Sequence, residues 1–427
     1  MHFIPEILDE SEKTEKFYFK RKRKLSVKII ILILLNLLKD GNRKGYAIMI
    51  NQFWNKNKKA LNMKDKPVTA STFCEARMKI KPKVFRQMLM SSAEKYDQKY
   101  QKKYTWKKLR VLAVDGSKYT LPATAELIND FGRHPGGNKK DAHYPQALVS
   151  LLFNVKSKIV YDASIQPNKG DERKEMVKLV IYNKLSRKDL LILDRGYPSY
   201  PVLVDLIKNK VNFLIRLPTT STFKIVDSFV ESNSFDKIYE IELPKFKKVK
   251  LRLLKITSNG RSRIFITNLI KPDKYPHEEI TNIYLERWEI EEQYKKNKEL
   301  YLVEKFHSKK TEGIKQEIYS QLFLYNFTRL VCTDAECLDE EENCDNELED
   351  EKLSSSLKGI PSFKNAFFIV DRYLDDLLAN LNNNKKYMEL YLAMLNEVRN
   401  VRYVKRKNRH FPRVSRKTYP RWKKKVP

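Results

Sequence analysis

The sequence predicts an α/β fold with helical regions at both ends of the chain. Between about residues 105 and 200, short β-branched runs and a helical stretch follow one another in the order strand, strand, strand, helix, strand. A second β-rich stretch follows, up to about residue 270. On either side, apolar residues recur at helical spacing with few glycines or prolines, which is typical of helices.

Composition narrows the class of protein. The chain has 427 residues, 41% of them hydrophobic and 11% aromatic, which excludes an intrinsically disordered protein. That length favours two to four domains over a single small binding module. Lys and Arg number 85 against 53 Asp and Glu, a net charge of +32. An excess of this size indicates a polyanionic partner, with nucleic acid the first candidate and an anionic membrane the second.

The same composition favours a cytoplasmic location. The most apolar stretch, Ile29–Leu35, is too short to span a bilayer. A basic stretch precedes it, but no small-residue cleavage site follows, so we do not interpret it as a signal peptide. The four cysteines have no CxxC spacing and no accompanying histidine pair, which indicates free thiols in a reducing compartment.

The N-terminal region, residues 1–104, is predicted to be a helical DNA-binding domain. Around residue 80, apolar residues recur at three- and four-residue spacing, and basic residues lie between them: Arg77, Lys79, Lys81, Lys83 and Arg86. Such a basic face suits contacts with phosphates. A solvated helix face explains any single lysine equally well.

Two aspartates follow predicted strands. The first strand, Leu109–Val114, ends in Asp115-Gly116-Ser117. Two strands at Ala147–Val155 and Ile159–Ile165 and a helix from about Asp171 to Leu185 come next. The fourth strand, Leu190–Leu193, then ends in Asp194-Arg195-Gly196-Tyr197.

The second β-rich stretch is predicted to be a small antiparallel sheet inserted within the larger domain. Its four predicted strands are Phe223–Val230, Ile238–Leu243, Val249–Ile256 and Ile264–Leu269. One or two helices are expected between Pro276 and Gly313, where no glycine or proline intervenes. Further helices are predicted at Ile314–Val331, at Ser362–Leu378 and near Lys386–Val401.

Charge is unevenly distributed near the C-terminus. Residues 401–427 contain twelve Lys or Arg and no acid, whereas eleven of the eighteen residues from Asp334 to Glu351 are acidic. We interpret the basic tail as a segment that orders on DNA or on a partner subunit. The acidic run is predicted to be a solvated loop; the alternative is an autoinhibitory mimic of DNA that docks on the tail.

Four polar residues share one face of the helix after Pro276. Tyr284, Arg287, Glu291 and Lys298 fall within an arc of about 60° when each residue advances about 100°. A surface helix rich in Glu and Lys also produces such arcs by chance.

Together with the two aspartates, Glu291 predicts a metal site. Carboxylates from three separate segments can hold two divalent cations about 4 Å apart, and such a pair can activate water and stabilise the leaving oxygen in phosphodiester transfer. Mg²⁺ suits hard oxygen ligands. Each aspartate has an alternative interpretation, because an Asp at a strand end is most often a turn former.

These motifs resemble a family, the DDE transposases of bacterial insertion sequences, in the branch with a Tyr-x2-Arg-x3-Glu-x6-Lys motif. Tyr284-Leu-Glu-Arg287-Trp-Glu-Ile-Glu291, six residues and Lys298 meet that motif without a gap. The segments around Asp115 and Asp194 match in the same order, and Glu172-Arg173 and Thr267-Asn268-Leu269 are weaker likenesses. The departures are the additional acids Glu286, Glu289 and Glu292 and the acidic run.

The resemblance implies an RNase H-like catalytic domain at residues 105–330, interrupted by a β-rich insertion at 213–270. An acidic linker at 331–360 and a helical C-terminal region with a basic tail at 361–427 complete the predicted organisation. Asp115, Asp194 and Glu291 would be catalytic and bind two Mg²⁺, with Mn²⁺ as a substitute. Tyr284, Arg287 and Lys298 would contact the phosphates of the transposon ends.

Arg195 and Trp288 complete the predicted DNA-binding set. Trp288 could stack on a base, although packing in the core is the more common role of such a residue.

The function expected from the resemblance is that of a DNA transposase in the bacterial cytoplasm, associated with the nucleoid. It would cleave transposon ends and join them to target DNA by 3′-hydroxyl attack, as a homodimer on double-stranded DNA. The alternatives are a catalytically silent DNA-binding protein derived from a transposase and a structure-specific nuclease of the same fold.

Overall fold

The structure, a computed structural model, describes residues 24–38, 45–63, 66–135, 141–218, 223–244, 246–258, 261–346 and 359–404. It confirms the α/β class, with helices at both ends of the described chain and a mixed sheet between them. Most of the predicted basic tail, residues 405–427, lies outside the described residues.

The N-terminal region is helical, as predicted. It contains α1 (Val27–Leu38), α2 (Tyr46–Asn57), α3 (Ala70–Arg77) and α4 (Pro82–Tyr100), followed by a 3₁₀ turn at Gln101–Tyr104. The Thr69 hydroxyl caps α3, and Pro82, whose missing N–H costs nothing in a first turn, begins α4. The apolar residues of α1 and α4 belong to the same core as the sheet.

The predicted basic face around residue 80 is wrong for two of its members. The Arg77 side chain is 1% exposed and pairs with Glu317 at 3.0 Å. Arg86 donates two hydrogen bonds to the buried carboxylate of Asp162, at 2.7 and 2.6 Å. Both arginines therefore join the helices to the rest of the fold, because tertiary packing supplied carboxylate partners that helical spacing alone does not reveal.

The central sheet has the RNase H-like arrangement that the resemblance implied, so the predicted fold class is confirmed. β1 (Arg110–Thr120), β3 (Asp141–Asn154) and β4 (Ile159–Pro167) are antiparallel neighbours. Helix α6 (Glu172–Tyr182) crosses to β5 (Asp189–Leu193), which pairs parallel with β1. The short α5 (Ala125–Phe131) and β2 (Arg133–Pro135) precede β3.

The β-rich insertion extends this sheet and does not form a separate one. After α7 (Tyr200–Lys208), β6 (Asn212–Leu217) pairs parallel with β5 and antiparallel with β9 (Arg261–Thr267). β8 (Phe246–Ser258) and β7 (Asp236–Leu243) follow outward.

One predicted strand of the insertion, Phe223–Val230, is wrong. The structure has helix α8 (Lys224–Glu231) there. Phe223, Val226 and Phe229 are buried at a spacing of three residues, so the period is helical although the segment is rich in β-branched residues.

The helices after the insertion agree with the predicted segments. Two helices, α9 (His277–Leu285) and α10 (Trp288–Glu299), occupy the span after Pro276. The long α11 (Thr311–Asn346) packs against α4, and α12 (Phe363–Ala379) and α13 (Asn384–Asn400) pack against α11. The two-residue strands β10 (Ile360–Pro361) and β11 (Arg402–Tyr403) pair antiparallel.

The first part of the acidic run is not the solvated loop that was predicted. Residues 334–346 continue α11, while residues 347–358 of the predicted linker lie outside the described chain. Asp334 is buried and accepts hydrogen bonds from Lys99 and Tyr391, at 3.0 and 2.7 Å. Asp339 is buried and binds Arg399 at 2.7 Å and Arg402, the first basic residue of the tail. These two acids are structural counterions.

Two smaller predictions can also be compared with the fold. No helix among the described residues is long and apolar enough to cross a membrane. Among the described side chains, Cys74, Cys332 and Cys337 form no disulfide, and Cys344 lies where side chains are not described.

Candidate active site

The two predicted aspartates lie side by side at one edge of the central sheet. In the parallel β1–β5 pair, Ala113 is opposite Ile192. Asp115 and Asp194 each lie two residues further, so they share a register position and a face, on strands about 4.8 Å apart. Both side chains are half-buried. The predicted juxtaposition of these carboxylates therefore holds at the level of backbone register.

β6, the strand on the other side of β5, places Arg216 beside Asp194. In the parallel β5–β6 pair, Leu193 is opposite Ile215, so the next residues are Asp194 and Arg216. An Arg216 guanidinium nitrogen lies 4.0 Å from a carboxylate oxygen of Asp194. The Tyr284 hydroxyl donates a long hydrogen bond, 3.4 Å, to the same carboxylate oxygen. Asp194 is thus held between a cation and a phenol.

The third predicted acid, Glu291, lies on α10 and is engaged by Arg287. A terminal nitrogen of Arg287 donates to Glu291 Oε1 at 2.6 Å. Helix α9 ends at Leu285 and α10 begins at Trp288, and the Arg287 N–H bonds to the Tyr284 carbonyl in a tighter, 3₁₀-type turn. Of the one or two helices expected here the structure has two, and Tyr284, Arg287 and Glu291 still face the sheet edge.

Two of the neighbouring acids, Glu286 and Glu289, are paired with lysines, whereas Glu291 lies near Asp115. Glu286 pairs with Lys156 at 2.5 Å and Glu289 pairs with Lys158 at 3.0 Å. Both lysines lie in the turn between β3 and β4. The sequence alone could choose among these glutamates only by motif spacing, because the lysines that attract the others are distant along the chain.

Asp115 lies in an environment that disfavours its charged form. Burial raises the pKa of its carboxyl to about 6, and the nearby carboxylates of Glu172 and Glu291 act in the same direction, against the Gly116 N–H and Arg287. Arg287 is itself 10% exposed, and its Nε has no hydrogen-bond partner among the described residues. Two nearby carboxylates thus add to the effect of burial in disfavouring the charged form of Asp115, and Arg287 opposes them.

Tyr294 fixes the backbone beneath Asp115. Its hydroxyl oxygen lies 2.6 Å from the Asp115 carbonyl oxygen and 2.9 Å from the Val149 carbonyl oxygen. It also accepts a hydrogen bond from the Leu151 N–H at 3.1 Å. Since Tyr294 lies on the same helix as Glu291, it joins that helix to β1, which carries Asp115, and to the neighbouring β3.

Lys298 is not brought together with the three acids in this arrangement. Its amine donates to the Lys118 carbonyl oxygen at 2.7 Å and lies 3.9 Å from Glu304. Burial lowers the pKa of the Lys298 amine. The fourth member of the motif is therefore held at the end of β1, three residues beyond Asp115 along the strand.

The two remaining predicted site residues are on the surface. Trp288 is 52% exposed at the start of α10, so the expectation that it packs in the core is wrong. Leu285, three residues earlier at the end of α9, is also exposed. Arg195, beside Asp194, is also exposed. Each is available to a ligand that approaches the sheet edge.

Sequence reasoning missed Arg216 and did not assign Glu172 to the site. Arg216 could have been found only from the pairing of β6 with β5, which the predicted insertion boundary at residue 213 obscured. Glu172 begins the helix between the third and fourth predicted strands, and its approach to Gly116 is a tertiary contact.

The donor set suits a hard divalent cation. Asp115, Asp194 and Glu291 offer carboxylate oxygens, the ligands that Mg²⁺ and Mn²⁺ prefer. Over the described residues, however, no three His, Cys, Asp or Glu side chains are close enough to hold an ion as they stand. The Glu291 carboxylate is the one bound by Arg287.

Comparison with known proteins gives three findings. The family model of the transposase DDE domain matches residues 106–327, just over half of the chain. Transposase InsG for insertion sequence element IS4, from Escherichia coli strain K12, is 24% identical over 273 residues. That alignment covers 61% of this chain and 61% of the relative.

The third is a cryo-EM structure of the piggyBac transposase synaptic complex with hairpin DNA. It is similar with a TM-score of 0.43 and 10% identity, over 92% of this chain and 79% of that one.

Proposed function

Since the chain belongs to the family of proteins with a transposase DDE domain, we propose that it is a DNA transposase that cleaves at transposon ends and joins them to target DNA. Both reactions are in-line displacements at phosphorus, so one site can serve both. The observation that carries the proposal is the register of β1 and β5, which sets Asp115 beside Asp194 at the sheet edge that Glu291 faces.

The proposed cofactor is a pair of Mg²⁺ ions, which Mn²⁺ can replace. The family uses divalent metal ions in general. The fit rests on the carboxylate donor set and on the raised pKa of Asp115, whose neighbours include two further carboxylates. Bound there, the ions would supply an activated water or 3′-hydroxyl and charge stabilisation at the leaving oxygen.

The basic groups around the acids are proposed to orient the DNA. Arg287 can offer its guanidinium to a phosphate once Glu291 is engaged elsewhere, because a guanidinium binds two oxyanion oxygens in a planar fork. Arg216 holds the Asp194 carboxylate in place from the neighbouring strand. Tyr284, 6% exposed and packed on Phe265 at 4.6 Å between ring centres, supports Asp194 from the helix side.

The remaining DNA-binding residues form the proposed rim of the site. Trp288 and Arg195 are exposed beside the acids and can contact an unpaired base and a phosphate. Lys298 would reach a phosphate along β1 only by leaving the Lys118 carbonyl oxygen.

Double-stranded DNA is the proposed partner, and the excess of 32 positive charges suits it. A homodimer that pairs two transposon ends, in the bacterial cytoplasm at the nucleoid, remains part of the same proposal.

The test is cleavage and strand transfer on the element's own terminal repeats with Mg²⁺. D194N and E291Q are each expected to lower the cleavage rate by about a thousandfold or more, since each removes a proposed metal ligand. The matched control is E289Q, two residues from Glu291 on the same helix, whose carboxylate faces Lys158. Full cleavage by D194N or E291Q would contradict the assigned roles.

The same assay separates the alternatives. A wild-type protein that binds the repeats without cutting them would be a catalytically silent DNA-binding protein. One that cuts branched DNA without strand transfer would be a structure-specific nuclease. The binding constant should also fall steeply as salt rises, because released counterions drive the association.

A further inference from the structure

Glu172 is the first residue of α6, the helix that connects β4 to β5. The Asp171 side chain caps this helix by accepting hydrogen bonds from the N–H groups of Arg173 and Lys174, at 3.0 and 3.2 Å. The cap fixes the backbone of the first turn, in which Glu172 lies. The helix thereby presents this carboxylate to the edge where β1 and β5 carry their aspartates.

The contact with Gly116 shows how close Glu172 lies to the site. A Cβ atom built on Gly116 would lie 2.9 Å from Glu172 Cδ and 3.0 Å from Oε1. Real Cβ atoms essentially never lie under 3.0 Å from a neighbour. The Glu172 carboxylate therefore lies directly over the backbone of the residue after Asp115, in space that a Cβ atom at position 116 would share.

A second contact joins Glu172 to the segment after Asp194. The hydroxyl of Tyr197, a residue 3% exposed, donates to Glu172 Oε2 at 3.4 Å. The Tyr197 N–H bonds in turn to the Asp194 carbonyl oxygen at 3.1 Å. The Glu172 carboxylate is thus placed between the residue that follows the first aspartate and the turn that follows the second.

Glu172 differs from the next acid of its own helix. Glu175 forms an ion pair with Lys178 at 2.7 Å and accepts a hydrogen bond from Ser164 at 2.5 Å. Within the described parts of the chain, no lysine or arginine forms an ion pair with Glu172. A half-buried carboxylate beside other carboxylates, with no basic partner, is stabilised by a cation that they share.

We propose that Glu172 is a fourth carboxylate of the metal site, which strengthens the binding of the divalent cation beside Asp115. The inference rests on the proposed function, because it takes Asp115, Asp194 and Glu291 as the other ligands. An added oxygen donor with a negative charge raises the affinity of a site for a hard cation, whether it binds directly or through a water.

The experiment measures Mn²⁺ binding to the full chain without DNA, by electron paramagnetic resonance of the free ion. E172Q should weaken Mn²⁺ binding about tenfold or more, as is typical when a supporting carboxylate is lost. E175Q is the matched control, since Glu175 lies in the same first turn but faces Lys178, and it should bind like the wild type. E172D, which keeps the charge on a shorter side chain, should retain more affinity than E172Q.

The outcomes distinguish this proposal from the proposed function. If D115N loses Mn²⁺ while E172Q binds it like the wild type, Glu172 is not part of the site and the transposase proposal stands. If E175Q is weakened as much as E172Q, the effect comes from the helix start and the inference is wrong. If D115N also binds Mn²⁺ like the wild type, the proposed metal site itself fails.

Discussion

Two regions of this molecule contain buried charges, and they differ in whether those charges have partners of opposite sign. Arg77, between the N-terminal helices and α11, donates to Gln316 and Glu317 at 3.0 Å and to the Gly313 carbonyl oxygen at 3.2 Å. Glu317 in turn accepts from two backbone N–H groups at 2.9 and 3.0 Å. At the sheet edge, by contrast, the Asp115 carboxyl faces the carboxylates of Glu172 and Glu291, and its pKa is raised.

The difference indicates that the Arg77 cluster stabilises the fold, whereas the sheet edge at Asp115 is suited to binding a ligand. A buried charge is tolerated when charges and hydrogen bonds of opposite sense surround it, and the Arg77 cluster meets that condition. The sheet edge leaves negative charge under-compensated, which costs stability in the metal-free protein and favours the binding of a cation. Two predictions test this contrast and a third tests the exposed rim of the site, from the largest expected effect on stability to the smallest.

The largest effect is expected at the scaffold arginine. R77A should lower the free energy of unfolding by about 3–5 kcal/mol, because it leaves the carboxylate of Glu317, which is fully buried, without its counterion. R287A should cost only about 1 kcal/mol or less, since Glu291 is 34% exposed and water can replace the arginine. Urea unfolding of both variants measures the difference, and equal losses would contradict the contrast.

Replacing Asp115 is expected to raise the free energy of unfolding, whereas replacing Arg77 lowers it. The pKa of Asp115 in the folded, metal-free protein is about 6, above its value of about 3.9 in an unfolded chain. The folded state then binds more protons, so this carboxyl lowers stability as pH rises from about 4 to about 6, and the loss persists above that range. D115N should therefore be more stable than the wild type at pH 7.5 in EDTA, by about 1–2 kcal/mol.

Thermal unfolding at a series of pH values checks this prediction. The advantage of D115N should shrink below pH 6 and vanish near pH 4, where Asp115 is protonated in both states. D273N makes the same change at an exposed turn residue and should shift stability by no more than about 0.5 kcal/mol. If D115N is less stable than the wild type at pH 7.5, the negative charge around Asp115 is already balanced by positive charge in the metal-free protein.

The smallest effect on stability is expected at Trp288. W288A should change the free energy of unfolding by about 0.5 kcal/mol or less, because the side chain is 52% exposed. W54A, at a fully buried tryptophan, should cost about 3–5 kcal/mol. Affinity for transposon-end DNA should nevertheless fall about tenfold in W288A, as expected when one stacked base loses its aromatic partner.

The control for the DNA measurement is the neighbouring leucine. L285A removes an equally exposed apolar side chain that has no aromatic face, so its affinity for the same DNA should match the wild type. Fluorescence anisotropy with a labelled transposon end measures both variants. Equal losses in W288A and L285A would show that general apolar contact, and not stacking, explains the effect.

Much of the fold could be predicted because apolar runs and helical periods are properties of short stretches of sequence. The apolar runs before Asp115 and Asp194 each become a paired strand of the central sheet. The predicted end of the first strand at Val114 is wrong, because β1 continues through Asp115 to Thr120, where polar residues pair with β3. The predicted strand Phe223–Val230 is a helix because its buried residues recur every three residues, although its β-branched residues favour a strand. Propensity and period disagreed there, and packing against the sheet decided for the helix.

The sequence by itself determined the order and spacing of the two aspartates and of the Tyr-Arg-Glu-Lys motif, and from these the family. Only the tertiary structure decided which charged side chains are paired with counterions inside the fold. Arg77 and Asp334 are surface residues by pattern, yet both are buried counterions. Glu286 and Glu289 were excluded from the site by two lysines of a distant turn. The physical reason is that a charge is fixed by its nearest partner in space, and helical or strand spacing gives no information about partners more than a hundred residues away.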